Sequence, residues 1–271
     1  MEIAPGIHIL PAAAAGFMGF YAPNVYLVAG AQAALVDSGY HDADMTRTRL
    51  DYIESAAPLN LAYILLTHPH PDHAGGCSDI KNATGARIAA YSLSRAQSEA
   101  YRVKADVIAR DKDILELGGV SIEVVHTPGH TRESLCFYVR EAGVLFSGDH
   151  IVGYGTPVIA RDGDMAEYID SLKKLLDYKI SLICPGHGPL IREPERKIRE
   201  LIAHRQEREQ QIISCLRRGK RCVLEMVSEI YPEVDSRLLA LAGEQVLAHL
   251  SKLVKEGRAS FSGEYYILKE T

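Results

Sequence analysis

The sequence predicts an α/β chain with mixed sheets, followed by a small helical module that ends in a hairpin. Three observations carry this. Over the first two-thirds of the chain, short apolar runs of strand length interleave with segments of helical spacing. Some of those runs follow one another across glycine turns, so hairpins are expected and the sheets are not purely parallel. After about Pro189 the pattern changes to long helical spacing and then to a two-stranded ribbon.

Taken in order, "NVYLVAG" (24–30) and "AALVDSG" (33–39) are strand-type runs separated by a turn at Gly30. "LAYILLT" (61–67) is an apolar run of strand length, and "VSIEVVHT" (120–127) alternates with period two after the Gly118-Gly119 turn. "SLCFYVR", "GVLFSGD" and "SLICPG" continue the strand pattern. Helical spacing predicts helices over 42–55, 72–83 and 165–176, the last with Asp164 as N-cap. "EPERKIRELIAHRQEREQQIISCLRRG" reads as one long helix with Pro194 near its start and a charged, solvated face. The apolar positions Leu238, Leu239, Leu241, Val246, Leu247, Leu250 and Leu253 suggest two short amphipathic helices around Gly243. "ASFSGEYYILK" supplies a ribbon turning at Ser262-Gly263, and the whole tail reads as winged-helix-like. The expected organisation is a catalytic domain over 1–191, a connecting helix over 192–213 and a winged-helix-like domain over 214–271.

Composition limits the function classes. Of 271 residues, 47% are apolar and 24% charged, which suits a globular chain with a substantial core. The formal net charge is -5, against a protein that lives by coating phosphate backbones. No apolar run approaches the ~20 residues needed to span a bilayer. The N-terminal stretch lacks a basic segment ahead of an apolar one, so it does not read as a signal peptide, and Ala12 to Ala15 read as turn material. The five cysteines are odd in number, scattered and without a C-x-x-C pair. They read as buried thiols in a reducing cytoplasm.

The segment "LTHPHPDHAGG" (66–76) is decisive. His68, His70, Asp72 and His73 fall within six residues, after a predicted strand and at the start of a predicted helix. Residues i and i+2 of an extended stretch point to the same side, so His68 and His70 suit one ion. Asp72 and His73, where the chain turns into the helix, face another direction and suit a second. Gly75 and Gly76 allow close backbone approach there. "HTPGHT" adds His130, "FSGDH" adds Asp149 and "CPGHG" adds His187, each at or beyond a predicted strand end. Imidazole nitrogen and carboxylate oxygen are donors zinc accepts readily. His8, His41, His204 and His249 read as ordinary surface or core residues.

"THPHPDHAGG", "TPGHT", "SGD" and "PGHG" resemble the signature motifs of the metallo-β-lactamase superfamily over roughly residues 5–190. The resemblance implies an αββα sandwich with a binuclear site at one edge of its two sheets. It implies one metal on His68, His70 and His130, another on Asp72, His73 and His187, and Asp149 bridging them. Zinc is the first expectation, with iron or manganese as alternatives. Asp37, in "VDSG", is similar to the family's early D-[ST]-G turn and either supports the site from behind or is a plain turn residue. The long helix, with "HRQEREQQI" and the winged-helix-like end, resembles the β-lactamase-like protein 2 subgroup, some of whose members are described as endoribonucleases acting on single-stranded RNA. His204 and Arg205 belong to that helix and read equally as ordinary charged surface.

Two metals ~3.5–4 Å apart turn a bridging water into hydroxide near neutral pH, and they stabilise charge that develops on a substrate oxygen. The expected activity is therefore hydrolysis of an ester, thioester, lactone or phosphodiester, with Asp72 as the catalytic proton handler. "FSGDH" around Ser147 is not a G-x-S-x-G elbow, so a serine nucleophile is not indicated. Di-iron redox members of the family often replace the second histidine by glutamate, whereas this chain keeps His70.

The partner expected first is a small acyl or phosphoester substrate. Single-stranded RNA is the alternative, through Arg217, Arg218, Lys220 and Arg221 with Phe261, Tyr265 and Tyr266. A purely non-catalytic role of the tail in binding nucleic acid or a partner is the third reading. Residues 1–189 hold 15 basic and 22 acidic residues, whereas 190–271 hold 15 and 13, so the tail is the less acidic part. Phe17, Met18, Phe20 and Tyr21 either line the mouth of the site or simply pack.

Overall fold

The computed structural model describes residues 1–10, 22–56, 60–92, 103–159 and 161–269. Ala12 to Ala15, Phe17, Met18, Phe20 and Tyr21 lie outside the described residues. The chain divides into two units. The first comprises 1–127, 133–156 and 178–195; the second comprises 128–132, 157–177 and 196–271.

Among the described residues, the first unit holds a seven-stranded and a five-stranded sheet. The larger runs β1 (Glu2–Ala4), β2 (Ile7–Ile9), β3 (Tyr26–Ala29), β4 (Ala33–Val36), β5 (Leu61–Leu65), β6 (Arg87–Ala90) and β7 (Val107–Ile108), in chain order. Its first pairings are antiparallel, and from β4 onward they are parallel. The smaller sheet is formed by β8 (Ile114–Glu116), β9 (Ser121–His126), β10 (Leu135–Val139), β11 (Val144–Gly148) and β12 (Leu182–Pro185). Its pairings are antiparallel except β11 with β12. Helices α1 (Ala43–Ala56), α2 (Pro71–Ala74) and α3 (Cys77–Thr84) also lie in this unit.

Period-two alternation with apolar residues on both faces explains the layering. Tyr26, Val28, Val36 and Leu65 of the larger sheet pack with Ile122, Val124, Phe137 and Phe146 of the smaller one. The intervening positions Leu27, Leu35 and Ile64 point the other way, into a second core with Ile53 of α1 and Ile80 of α3. The mixed sheets follow the expectation. The expected strands all occur, trimmed by one to three residues at their ends, whereas β1, β2, β6, β7 and β8 are additions. Of these, β1, β2, β7 and β8 have only two or three residues, too brief for periodicity to register.

A single helix over 72–83 is not what forms. The chain makes α2 and α3, broken at Gly75-Gly76. A β-carbon on Gly75 would lie 2.3 Å from the backbone N of His41, and one on Gly76 would lie 2.7 Å from the Ser38 carbonyl oxygen. The glycines let the turn at 38–41 press onto this segment, and that contact takes precedence over helical continuity.

The second unit contains α4 (Met165–Leu175), α5 (Pro194–Arg217), α6 (Val223–Ile230), α7 (Leu239–Lys255) and the hairpin β13 (Ala259–Ser262) with β14 (Tyr265–Leu268). Asp164 caps α4 as expected, accepting from the backbone N–H groups of Ala166 and Glu167. Ile212, Ile213 and Leu216 of α5, Met226 and Val227 of α6, and Val246, Leu250 and Leu253 of α7 form one core with Ala259. The tail differs from expectation in that α7 is one continuous helix through Gly243. A mid-helix glycine costs about 1 kcal/mol relative to alanine. The buried stripe Ala242, Val246, His249, Leu250 and Leu253 runs unbroken along one face, and its packing outweighs that cost.

The reading of Arg205 as ordinary charged surface is also overturned. It is 1% exposed, its guanidinium against the ring of Tyr168. No helix among the described residues is long and apolar enough to cross a membrane.

Candidate metal centre

The predicted ligands sit just past the C-terminal ends of strands. His68 and His70 follow β5, Asp72 and His73 open α2, Asp149 follows β11, and His187 follows β12. These ends are tied together. The backbone N–H of Leu135 donates to the Thr67 carbonyl at 2.8 Å, and that of Gly186 donates to the Gly148 carbonyl at 2.8 Å. Donor atoms of His68, His73 and Asp149 lie within 4.8 Å of one another, as do those of Asp72, His73 and His187. His68 Nε2 is 3.1 Å from His70 Nδ1, so this pair turns its nitrogens to one point, as i and i+2 spacing predicts.

The distances describe a shared cluster. His187 Nε2 lies 3.1 Å from Asp72 Oδ2 and 3.5 Å from Asp149 Oδ2. His73 Nε2 lies 3.4 Å from Asp149 Oδ1 and 3.2 Å from His187 Nε2. His130, on the turn after β9, is buried, and its Nδ1 donates to the Val158 carbonyl at 2.7 Å. That bond selects the tautomer with its lone pair on Nε2.

Behind the cluster stands Asp37, 2% exposed and in the left-handed region at φ 59°. Its Oδ1 accepts from the Thr67 backbone N–H at 2.8 Å. Its Oδ2 accepts from the Thr67 hydroxyl at 2.8 Å and from His73 Nδ1 at 2.7 Å. The Thr67 hydroxyl, its proton committed to Asp37, accepts from His68 Nδ1 at 3.0 Å. One carboxylate thereby sets the tautomer of His73 directly and of His68 through Thr67, presenting Nε2 from both rings. Of the two readings held for Asp37, the geometry selects support of the site.

The electrostatics run the same way. Burial acts against a charged His73, but the carboxylates of Asp149 and Asp37 outweigh it and hold the imidazole well above its ordinary pKa. Burial likewise pushes Asp149 up, and His73, His187 and His68 reverse it, holding the carboxyl well below the usual range. For Asp72, burial is again opposed, chiefly by the hydrogen bond from His187, and the carboxyl ends lower than normal.

These donors fit divalent ions. His73 Nδ1 is committed to Asp37, so Nε2 is the ring nitrogen it turns to the cluster, 3.2 Å from His187 Nε2 and 3.4 Å from Asp149 Oδ1. Gly186 shows how closely the backbone approaches: a β-carbon there would lie 2.4 Å from Asp149 Oδ1 and 2.7 Å from His73 Cε1.

Sequence reasoning did not single out the residues that hold the His187 turn. Asn24 Nδ2 donates to the carbonyls of Pro185 and Gly188 at 3.0 and 2.8 Å, and the Tyr26 hydroxyl donates to Pro185 at 2.9 Å. The Asn24 backbone N–H reaches the Gly186 carbonyl at 2.7 Å. These partners lie some 160 positions away in the chain, so no local pattern marks them. Tyr40 was also missed. Its phenol, 45% exposed, is raised in pKa by partial burial and then by Asp72.

Residues 18–187 match the metallo-β-lactamase superfamily, and residues 223–266 match the β-lactamase associated winged helix domain. The chain is 35% identical over 264 residues to the β-lactamase-like protein 2 homolog of Drosophila melanogaster, covering 92% of this chain and 89% of that one. It is 28% identical to an atrochrysone carboxyl ACP thioesterase of Passalora fulva, covering 91% of this chain and 74% of that one. In fold it is similar to a metallo-β-lactamase family protein from Thermus thermophilus, with a TM-score of 0.80 over 99% of this chain and 100% of the other, at 23% identity. The matched domain covers more than half of the chain and contains every ligand candidate, and so the chain belongs to the metallo-β-lactamase superfamily, with a winged-helix domain following the catalytic one.

Proposed function

We propose that this protein is a binuclear metal-dependent hydrolase acting on an acyl substrate, an ester, thioester or lactone. His68, His70 and His130 would hold one ion and Asp72, His73 and His187 the other, with Asp149 available to both. The observation that carries the reading is the convergence of two overlapping donor groups, sharing His73, at the strand ends. Zinc suits this nitrogen-rich set, with iron and manganese as alternatives. When bound, the pair supplies an activated water and positive charge for the developing oxyanion.

The residues do the rest. Asp37 and Thr67 hold the imidazoles in the ligating tautomer. Asn24 and Tyr26 hold the His187 turn. Asp72, at the first turn of α2 and 21% exposed at its side chain, is open enough to receive a proton from the nucleophile and pass it to the leaving group. The acyl class is favoured by the relative named as a thioesterase. Domain limits of 1–191, 192–213 and 214–271, and a cytoplasmic location suited to five free thiols, belong to the same reading.

Purified protein is expected to carry two equivalents of metal, zinc first. It is expected to turn over an acyl thioester or lactone in a panel that includes bis(p-nitrophenyl) phosphate and single-stranded RNA. Metal analysis below one equivalent after zinc loading, or no turnover of any acyl compound, sinks the proposal.

A second reading, endoribonuclease action on single-stranded RNA, rests on the wing. Phe261 is 56% exposed and Tyr265 38%, and Lys220 lies over the Tyr265 ring, with Nζ 4.7 Å from its centroid. Exposed aromatics beside cations are what stacking of unpaired bases requires. Part of the basic cluster is already engaged, since Arg218 pairs with Glu229. Neutralising Arg217, Arg218, Lys220 and Arg221 together is expected to weaken RNA binding and flatten its salt dependence, by up to about three in the slope of log K against log salt. Hydrolysis of a small ester should stay unchanged. Unaltered RNA affinity across a salt series excludes this reading, leaving the wing to a partner or to structure alone.

A further inference from the structure

Three consecutive residues, Pro157, Val158 and Ile159, form a strap whose polar backbone groups are engaged in turn. The Pro157 carbonyl accepts from Arg205 Nη2. The Val158 carbonyl accepts from His130 Nδ1 at 2.7 Å. The Ile159 N–H donates to Gln245 Oε1 at 3.3 Å, and the Ile159 carbonyl accepts from Gln245 Nε2 at 3.2 Å. One side-chain amide thus meets both backbone groups of one residue, as a neighbouring strand would. Arg205 Nη1 also donates to Gln245 Oε1 at 3.2 Å, so the two clamping side chains brace each other.

Arg205 lies on α5 and Gln245 on α7, a helix of the winged-helix domain. Burying a guanidinium among neutral groups is an expensive way to stabilise a helix, since charge desolvation costs several kcal/mol and apolar packing serves as well. What the arrangement does achieve is orientation. Peptide units are planar, so holding Pro157 on one side and Ile159 on the other leaves the Val158 carbonyl little freedom to turn. Proline at 157 restricts the strap further.

We infer that Arg205 and Gln245 are positioning residues for the metal centre: through the strap 157–159 they aim the Val158 carbonyl at His130 Nδ1 and so keep His130 Nε2 in its ligating pose. This rests on the reading of His130 as a ligand. Loss of an outer hydrogen bond to a ligating histidine typically weakens metal binding ~10–100-fold, and the loss is specific to the ion that His130 holds.

The test is titration of the metal-free full chain with Co(II), read by absorption and by competition with a chelator. Wild type should take two equivalents. Gln245→Met, which fills the same space without polar atoms, should weaken one equivalent ~10–100-fold and leave the other. Gln245→Glu keeps the acceptor for the Ile159 N–H and for Arg205, and should recover most of the affinity. Lys252→Met, which breaks the bond to Glu209 on the same helix face, should leave both equivalents as in wild type. Arg205→Lys keeps the charge but not the fork, and carries the same expectation should Gln245→Met fail to fold. Two tight equivalents in folded Gln245→Met, or in folded Arg205→Lys where Gln245→Met does not fold, overturn the inference alone, as does an equal loss in Lys252→Met. A wild type that binds no metal overturns the two-metal reading and this inference with it.

Discussion

Alanine at Asp72 is expected to lower kcat by ~10²–10⁴-fold, the range for loss of a proton-transferring group, while the chain stays folded. The side chain lies at the first turn of α2 and is partly exposed, with its carboxylate directed at His187 and His73. It contributes nothing to either apolar core of the first unit. Alanine at His70 is expected to be as damaging, because its Nδ1 lies 3.1 Å from His68 Nε2 and the proposed ion would lose that donor. Circular dichroism and a thermal melt, run beside the hydrolysis assay, separate the two effects. Full activity in either variant refutes the role assigned to that residue.

The second large effect is expected at Asp37. Asparagine tolerates the left-handed backbone found there, so Asp37→Asn changes the chemistry without adding backbone strain. The carboxylate accepts from three donors: the Thr67 N–H, the Thr67 hydroxyl and His73 Nδ1. An amide keeps one acceptor oxygen: with it at the Thr67 N–H, its NH₂ faces the two donors that Oδ2 served, the Thr67 hydroxyl and His73 Nδ1. A mispaired buried donor costs ~1–3 kcal/mol. His73 and, through Thr67, His68 then lose the bonds that fix their tautomers. These two histidines are assigned to different ions, so both metal affinities are expected to fall, each by ~10–100-fold. Competition with a chelator measures this. Wild-type affinity for both ions in Asp37→Asn would return Asp37 to a plain turn residue.

Much of this protein was legible before any coordinates. The H-x-H-x-D-H run is local: six residues at a strand-to-helix junction place their donors by backbone periodicity alone, and the structure shows His68 and His70 turned to one point as that spacing requires. Asp149 and His187 were legible from their glycine- and proline-flanked positions at strand ends. The alternating apolar strands made the sheets readable, and the Asp164 cap marked the start of α4. The two- and three-residue strands β1, β2, β7 and β8 were not readable, because so few residues carry too little periodicity. The division of 72–83 into α2 and α3 depends on how closely the 38–41 turn packs on Gly75 and Gly76, a contact between segments that no window of sequence contains.

What the sequence alone determined is the layered α/β class, the helical tail with its terminal hairpin and the local cluster of histidines and aspartates proposed as donors, since residue type and local spacing decide those. Tertiary structure decided which groups stand behind the donors. Asp37 reaches His73 across 36 positions, Asn24 reaches Pro185 across 161, and Arg205 reaches Pro157 across 48. The charged pattern of α5 gave Arg205 the look of a solvated residue, yet the fold buries it against Tyr168 and sets it on the strap that meets His130. Hydrogen bonds of this kind form between segments brought together by core packing, and their partners carry no periodicity of their own. The proposed ligands are therefore written locally in the chain, whereas the groups that orient them exist only once it has folded.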